Sequence, residues 1–136
     1  MKKILFLSTL AFYSITLNAQ TLQKGNLVGM HEVSVELKGN TTMQQFVDFF
    51  ANKYAPAFAK AFSAEIHVLK YVRGEAKNKL GYIFIIKNET ERNKYFNQDG
   101  SLNTTGKAAL AKVKTISEEL DKLGKTSGGY TDWVVE

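Results

Sequence analysis

Leu80 to Ile86 carries apolar side chains on both faces, with Tyr82, Phe84 and Ile86 on one side and Ile83 and Ile85 beside Gly81 on the other. A strand patterned this way is covered on both sides and belongs in the interior of a sheet. The chain must therefore supply strands to flank it and two layers to cover it. Gly25 to Lys38 provides the clearest flanking strand, with His31, Val33, Val35 and Leu37 on one face and Met30, Glu32, Ser34 and Glu36 on the other. The carboxylates on that second face imply either desolvated, shifted acids or a face that is partly wet. Glu65 to Arg73 is β-rich, and Tyr130 to Val135 alternates again. Gly74 to Lys79 is a polar turn of hairpin composition between the second and third strands. Gly128-Gly129 reads as a flexible lead-in to the fourth.

Two helical regions separate these strands. Thr41 and Gln44 are spaced as a capping box, and Met43, Phe46, Val47, Phe50 and Tyr54 then form one amphipathic stripe. Pro56, the only proline, predicts that Ala55 leaves helical geometry and that Ala57 to Phe62 is a short, re-angled helix. Asn88 with Glu91 marks a second helix start, leading through Arg92, Tyr95 and Phe96, and Asn97 to Asn103 is a polar loop. Thr105 to Leu123 reads as one longer helix with Ala109, Val113, Ile116, Leu120 and Leu123 on its stripe and Gly124 as its stop.

The resulting order is strand, helix, strand, strand, helix, strand: an α+β, ferredoxin-like βαββαβ fold. Right-handed crossovers give an antiparallel-type sheet of order 4-1-3-2 with both helices on one face. The other face then needs a second cover, most economically an identical sheet, so a homodimer is expected.

Ahead of this domain, Lys2 and Lys3 precede an apolar run from Ile4 to Leu17 that ends in Asn18-Ala19. That pattern predicts a signal peptide over residues 1–19, a flexible mature N-terminus over 20–26 and one domain over 27–136. Export to the periplasm or beyond follows, with no stable membrane span after cleavage because no other apolar run approaches the ~20 residues required. With Lys2 and Lys3 removed, 16 basic side chains face 13 acidic ones, a formal charge of about +3. No basic stripe accompanies it, which excludes a nucleic-acid partner. The chain has no cysteine, so packing alone must hold an exported fold together.

Chemistry-bearing residues are few. The two histidines, His31 and His67, are the catalytic candidates, and strand order separates them by one strand, too far for an easily shared metal; no metal site is expected. His67, Tyr71 and Arg73 fall on one face of the second strand as a base, a donor and an anion-binding fork; that row is the preferred pocket lining between two sheets, against the commoner alternative of an edge strand that points such residues into solvent or a dimer seam. Tyr82, Asp132 and Trp133 complete the ligand-binding candidates, with Tyr130 able to stack beside Trp133. Glu75 and Arg92 are read as surface pairing residues, worth ~0–1 kcal/mol each.

The strand His31-Glu32-Val33-Ser34-Val35-Glu36-Leu37-Lys38 is similar to the opening strand of the stress-responsive proteins of the dimeric α/β-barrel superfamily. The set Arg73-Gly74-Glu75, Arg92-Asn93-Lys94-Tyr95-Phe96 and Tyr130-Thr131-Asp132-Trp133 resembles a group of small exported bacterial proteins within it. The resemblance implies two sheets facing each other around a cavity that takes a small, partly apolar ligand. Its members also include cofactor-independent monooxygenases, isomerase-like enzymes and haem-degrading enzymes, so catalysis and simple binding both stay open. No cofactor is expected, haem being the one that comes nearest to fitting. A third reading makes the open sheet face a protein–protein interaction module of the cell envelope.

Overall fold

The computed structural model describes residues 22–71, 73 and 78–136. The proposed leader and Glu75 lie outside the described residues. The elements run β1 (Leu27–Leu37), α1 (Met43–Phe49), a π turn (Phe50–Tyr54), α2 (Ala55–Ala61), β2 (Glu65–Leu69), β3 (Lys79–Ile86), α3 (Glu89–Asn93), α4 (Thr104–Lys112), α5 (Lys114–Leu123) and β4 (Gly124–Val134). The four strands form one antiparallel sheet in the order β2-β3-β1-β4. This is the ferredoxin-like order expected from the sequence, with the doubly apolar strand in the interior.

The pleat of β1 sorts the two faces. Val33 and Val35 are buried with Phe46, Phe50, Leu80 and Leu120, which makes theirs the helix-covered face. Met30 and Glu32 point to the other side and are exposed, and Glu32 pairs with Lys79 at 2.5 Å. The wet alternative for the β1 carboxylates is therefore the right one at this end of the sheet.

Several local expectations need correction. The capping box is Thr42 with Gln45: the Gln45 N–H donates to Thr42 Oγ1 at 3.2 Å and the Thr42 N–H donates to Gln45 Oε1 at 2.8 Å. Pro56 does not break the helix, because Ala55 keeps helical angles (φ −59°, ψ −45°). Instead the Ala55 N–H reaches back five residues to the Phe50 carbonyl. That wider turn relieves the Asn52 carbonyl, which a proline ring four residues later would otherwise strike. The long C-terminal helix is two helices bent at Val113 (φ −105°, ψ 7°). Ser117 Oγ donates to the Val113 carbonyl at 3.0 Å, the back-bonding that bends helices.

Strand β2 ends at Leu69, so Tyr71 and Arg73 lie past it. Strand β4 is eleven residues long, starting six residues before the predicted Tyr130, and Gly128 and Gly129 pair with Val33 and Glu32 inside it. Glycine is required at 128 because β1 passes so close. A Cβ there would collide with the Glu32 carbonyl oxygen and lie 2.9 Å from Val33 Cα. Gly128→Ala is accordingly expected to cost ~1–3 kcal/mol in urea unfolding through overpacking. An unchanged midpoint would show that β4 can stand off from β1 here.

Candidate functional site

Aromatic residues recur every four positions from Phe46 through Phe50, Tyr54, Phe58 and Phe62. In a uniform α-helix that spacing would swing the stripe by ~160° between its ends, turning half of it away from the sheet. Taking one extra residue into the π turn reduces the swing to ~60°. Phe50, Tyr54, Phe58 and Phe62 consequently stack as a row, with successive ring centroids 5.2, 5.6 and 4.3 Å apart. The row faces the sheet just beyond the Val33–Val35 core.

Opposite it, two cross-strand rows are set by register. One is Tyr130, His31, Tyr82 and Val68; the next is Asp132, Gly29, Phe84 and Ile66. His31 is clamped between the tyrosines, 4.3 Å from Tyr82 with the rings 9° from parallel and 5.3 Å from Tyr130 at 22°. Gly29 contributes no side chain, and the point its Cβ would occupy is 3.1 Å from His31 Nε2 and 3.2 Å from Asp132 Oδ1. The gap so created opens into a cavity of ≈170 Å³ between the sheet and the helices. Its walls are aromatic, including Tyr54, Phe58 and Phe84. Arg92, Phe96 and Gly100, around the loop that joins α3 to α4, also line it.

The polar groups on this cavity wall are few, and two of them have shifted acidity. Burial holds the His31 imidazole below its ordinary pKa of 6.5, and the nearby Asp132 carboxylate opposes the shift. The imidazole is thus a neutral hydrogen-bond acceptor and proton acceptor at neutral pH. Burial also pushes the Tyr82 phenol up to about 12, helped by Tyr54, so it stays protonated. Tyr54 is raised likewise, by burial and then by Asp121, against a hydrogen bond with Ser117.

The structure brings together His31, Tyr82 and Asp132 from the sequence candidates, and adds Arg92. Arg92 is not a surface pairing residue: among the described residues it makes no ion pair, and its Nη1 donates to the Asn97 carbonyl at 2.9 Å with the guanidinium over the Phe96 ring. The other candidates are elsewhere. His67 is on the opposite sheet face, hydrogen-bonded to Glu65 at 3.3 Å, because Ile66 and Val68 take the helix side of β2. It cannot share a ligand with His31. Tyr71 and Arg73 are exposed past the end of β2, and Trp133 is exposed on the face opposite the helices. The cavity that the structure shows lies inside a single chain, between sheet and helices, and His67, Tyr71 and Arg73 do not line it. Residues that the sequence reading did not place in the site are Gly29, Tyr54, Phe58, Phe96 and Gly100. For Tyr54 and Phe58 the signal was the four-residue aromatic spacing, and for Gly29 a lone glycine interrupting an apolar strand face; Phe96 and Gly100 carried none.

No group of three or more His, Cys, Asp or Glu among the described residues could hold a metal ion. The cavity also fails the fit for haem, since its volume is of the order that admits a single benzene-sized ring and not a porphyrin.

No family model matches the chain, and no curated protein matches it by sequence. Among solved structures it is similar in shape to SnoaB, a cofactor-independent oxygenase from Streptomyces nogalater. A point variant of that protein aligns with 14% identity over 79% of this chain and 91% of the other, at a TM-score of 0.47. The second SnoaB structure gives 12% identity over 82% and 94%, at 0.46. The fold assignment itself rests on strand order and register.

The His31 shift carries a sign. The unfolded chain binds a proton on His31 more readily than the folded one, so this contribution to stability is complete above pH 6.5 and is lost as pH falls below it toward the depressed folded value. His31→Gln is expected to flatten the fall of the urea midpoint between about pH 7 and pH 5. A slope identical to that of the natural protein would show that the imidazole is not desolvated.

Proposed function

We propose that the sheet–helix cavity binds a small, flat, largely apolar ring compound carrying one hydroxyl, and that His31 accepts the hydrogen bond or the proton of that hydroxyl. The observation that carries this reading is the imidazole clamped between Tyr82 and Tyr130 with Nε2 facing the space left by Gly29. The clamp fixes ring orientation before a ligand arrives, so little ordering remains to be done on binding. Aromatic walls offer stacking and apolar burial to a ring, while the few polar groups set its direction.

Catalysis is the second reading, favoured by the depressed basicity of His31. An imidazole that is neutral at working pH can take a proton from the bound hydroxyl or an adjacent carbon, and Asp132 would steady the imidazolium that results. Proton removal of this kind opens both cofactor-independent oxygenation, with molecular oxygen as co-reactant, and isomerisation. Export, supported by the charged and apolar order of Lys2 to Leu17, would place the protein where ATP and reduced nicotinamide are scarce. That setting suits binding or unaided proton transfer.

Titration calorimetry with 4-methylphenol tests the binding reading. His31→Gln is expected to weaken affinity about tenfold, equivalent to about 1.4 kcal/mol, and Gly29→Val to abolish binding by filling the gap. Equal affinity in all three proteins would overturn it.

A second copy is the proposed cover for the open sheet face, where Met30, Leu69 and Trp133 are exposed and Ile83 and Ile85 lie between them. An apolar surface of this kind on a sheet is suited to an isologous pair. Light scattering is expected to give twice the chain mass and to fall to the single mass for Trp133→Glu. A single mass for the natural protein would instead favour the envelope interaction module.

A further inference from the structure

Among the described residues, the Arg92 guanidinium on the cavity wall makes no ion pair. Arg92 stands on α3, and its Nη1 is engaged by neutral oxygens only, the Asn97 carbonyl at 2.9 Å and Asn93 Oδ1 at 3.4 Å. Phe96 supports the group from below, its ring centroid 5.5 Å from the guanidinium carbon. Asp99 is held below its ordinary range first by hydrogen bonds from Ser101 Oγ at 2.6 Å and the Ser101 N–H at 2.9 Å and only least by Arg92, so its carboxylate is occupied by Ser101. The guanidinium is therefore fixed in place by the loop, with its second amino group uncommitted.

That second group faces the site. Nη2 lies 4.0 Å from the point where a Gly100 side chain would begin, and the Tyr130 hydroxyl packs against the same point. Gly100 has φ +84°, a left-handed conformation that glycine adopts without strain, and any side chain there would press on the hydroxyl. The two glycines thus lie beside two groupings of different chemistry. At Gly29 the neighbours are His31 Nε2 and Asp132 Oδ1; at Gly100 they are a phenol and a cation. An anionic group is repelled from the first by the Asp132 carboxylate and attracted to the second.

On the reading that the cavity binds a hydroxylated ring, we infer that the ring also bears a carboxylate, which Arg92 binds through Nη2 with the Tyr130 hydroxyl as a second donor. The ligand class is a small hydroxylated aromatic acid, oriented with its hydroxyl at His31 and its carboxylate at the α3–α4 loop. A guanidinium presents a planar fork matched to a carboxylate, and charge-assisted hydrogen bonds of this kind are stronger than neutral ones. Arg92 is on this account the specificity-determining residue for the cavity.

The test compares 3- and 4-hydroxybenzoate with the corresponding hydroxybenzamides by calorimetric titration of the full chain. The better-bound hydroxybenzoate is expected to bind at least tenfold more tightly than its amide. Arg92→Gln is expected to erase that preference, and Arg92→Lys to retain part of it. His31→Gln should weaken acid and amide by the same factor. Thermal melting of each variant shows that it is folded, and the comparison within the natural protein needs no variant at all. Equal affinity for acid and amide in the natural protein, or a preference that survives Arg92→Gln, would overturn the inference while leaving the hydroxyl-binding reading intact. Failure of acids, amides and 4-methylphenol alike would remove that reading and the inference with it.

Discussion

The pairing of β1 with both of its neighbours is the constraint on which the site depends. Eleven residues of β1 are matched to β4 and eight to β3, and the two registers place Tyr82 and Tyr130 on either side of His31. A slip of one residue in either ladder would send the partner tyrosine to the open face and leave the imidazole unclamped. The same ladders put Asp132 and Phe84 on either side of Gly29, so the gap in the sheet and the polar group that borders it have one origin. Gly128 belongs to this constraint too, since its missing side chain lets β4 approach β1 in the row that follows.

The cavity then follows from an imperfect fit between sheet and helices. Valines on β1 are matched to Phe46, Phe50 and Leu120 and leave no room. One row further along, β1 offers a flat imidazole and then nothing at all, while the helix offers rings held in line by the π turn. Rings stacked on rings close the sides but not the space over Gly29. Burial of this pocket is also what lowers the basicity of His31 and raises the Tyr82 phenol, so shape and electrostatics come from the same packing.

Most of the fold was legible because the apolar patterns were strong. Double-sided apolarity marked β3 as interior, alternation marked β1, and element order with crossover handedness fixed the sheet. The misjudged elements were those in which a local rule met a stronger tertiary demand. Gly128 and Gly129 have poor strand propensity, yet an eleven-residue β1 gives them a partner along its whole length. Pro56 should end a helix, yet a single wide turn accommodates it and keeps the aromatic row facing the sheet. In the site, His31, Tyr82 and Asp132 were legible as polar or amphipathic residues on strands, the first two interior and Asp132 on the edge strand β4. His67, Tyr71 and Arg73 were not distinguishable from them by pattern, because alternation shows that two faces differ without showing which one a helix covers.

What the sequence determined by itself is the order of elements, the interior position of Leu80 to Ile86 and the short list of side chains able to do chemistry. These depend on local periodicity and composition, which the chain carries residue by residue. Only the tertiary structure decided that the cavity lies between sheet and helices in one chain, that Arg92 turns from surface residue to cavity wall, and that two glycines line it. Those outcomes depend on register between strands far apart in sequence and on where an absent side chain leaves space, and neither quantity is a property of any single segment.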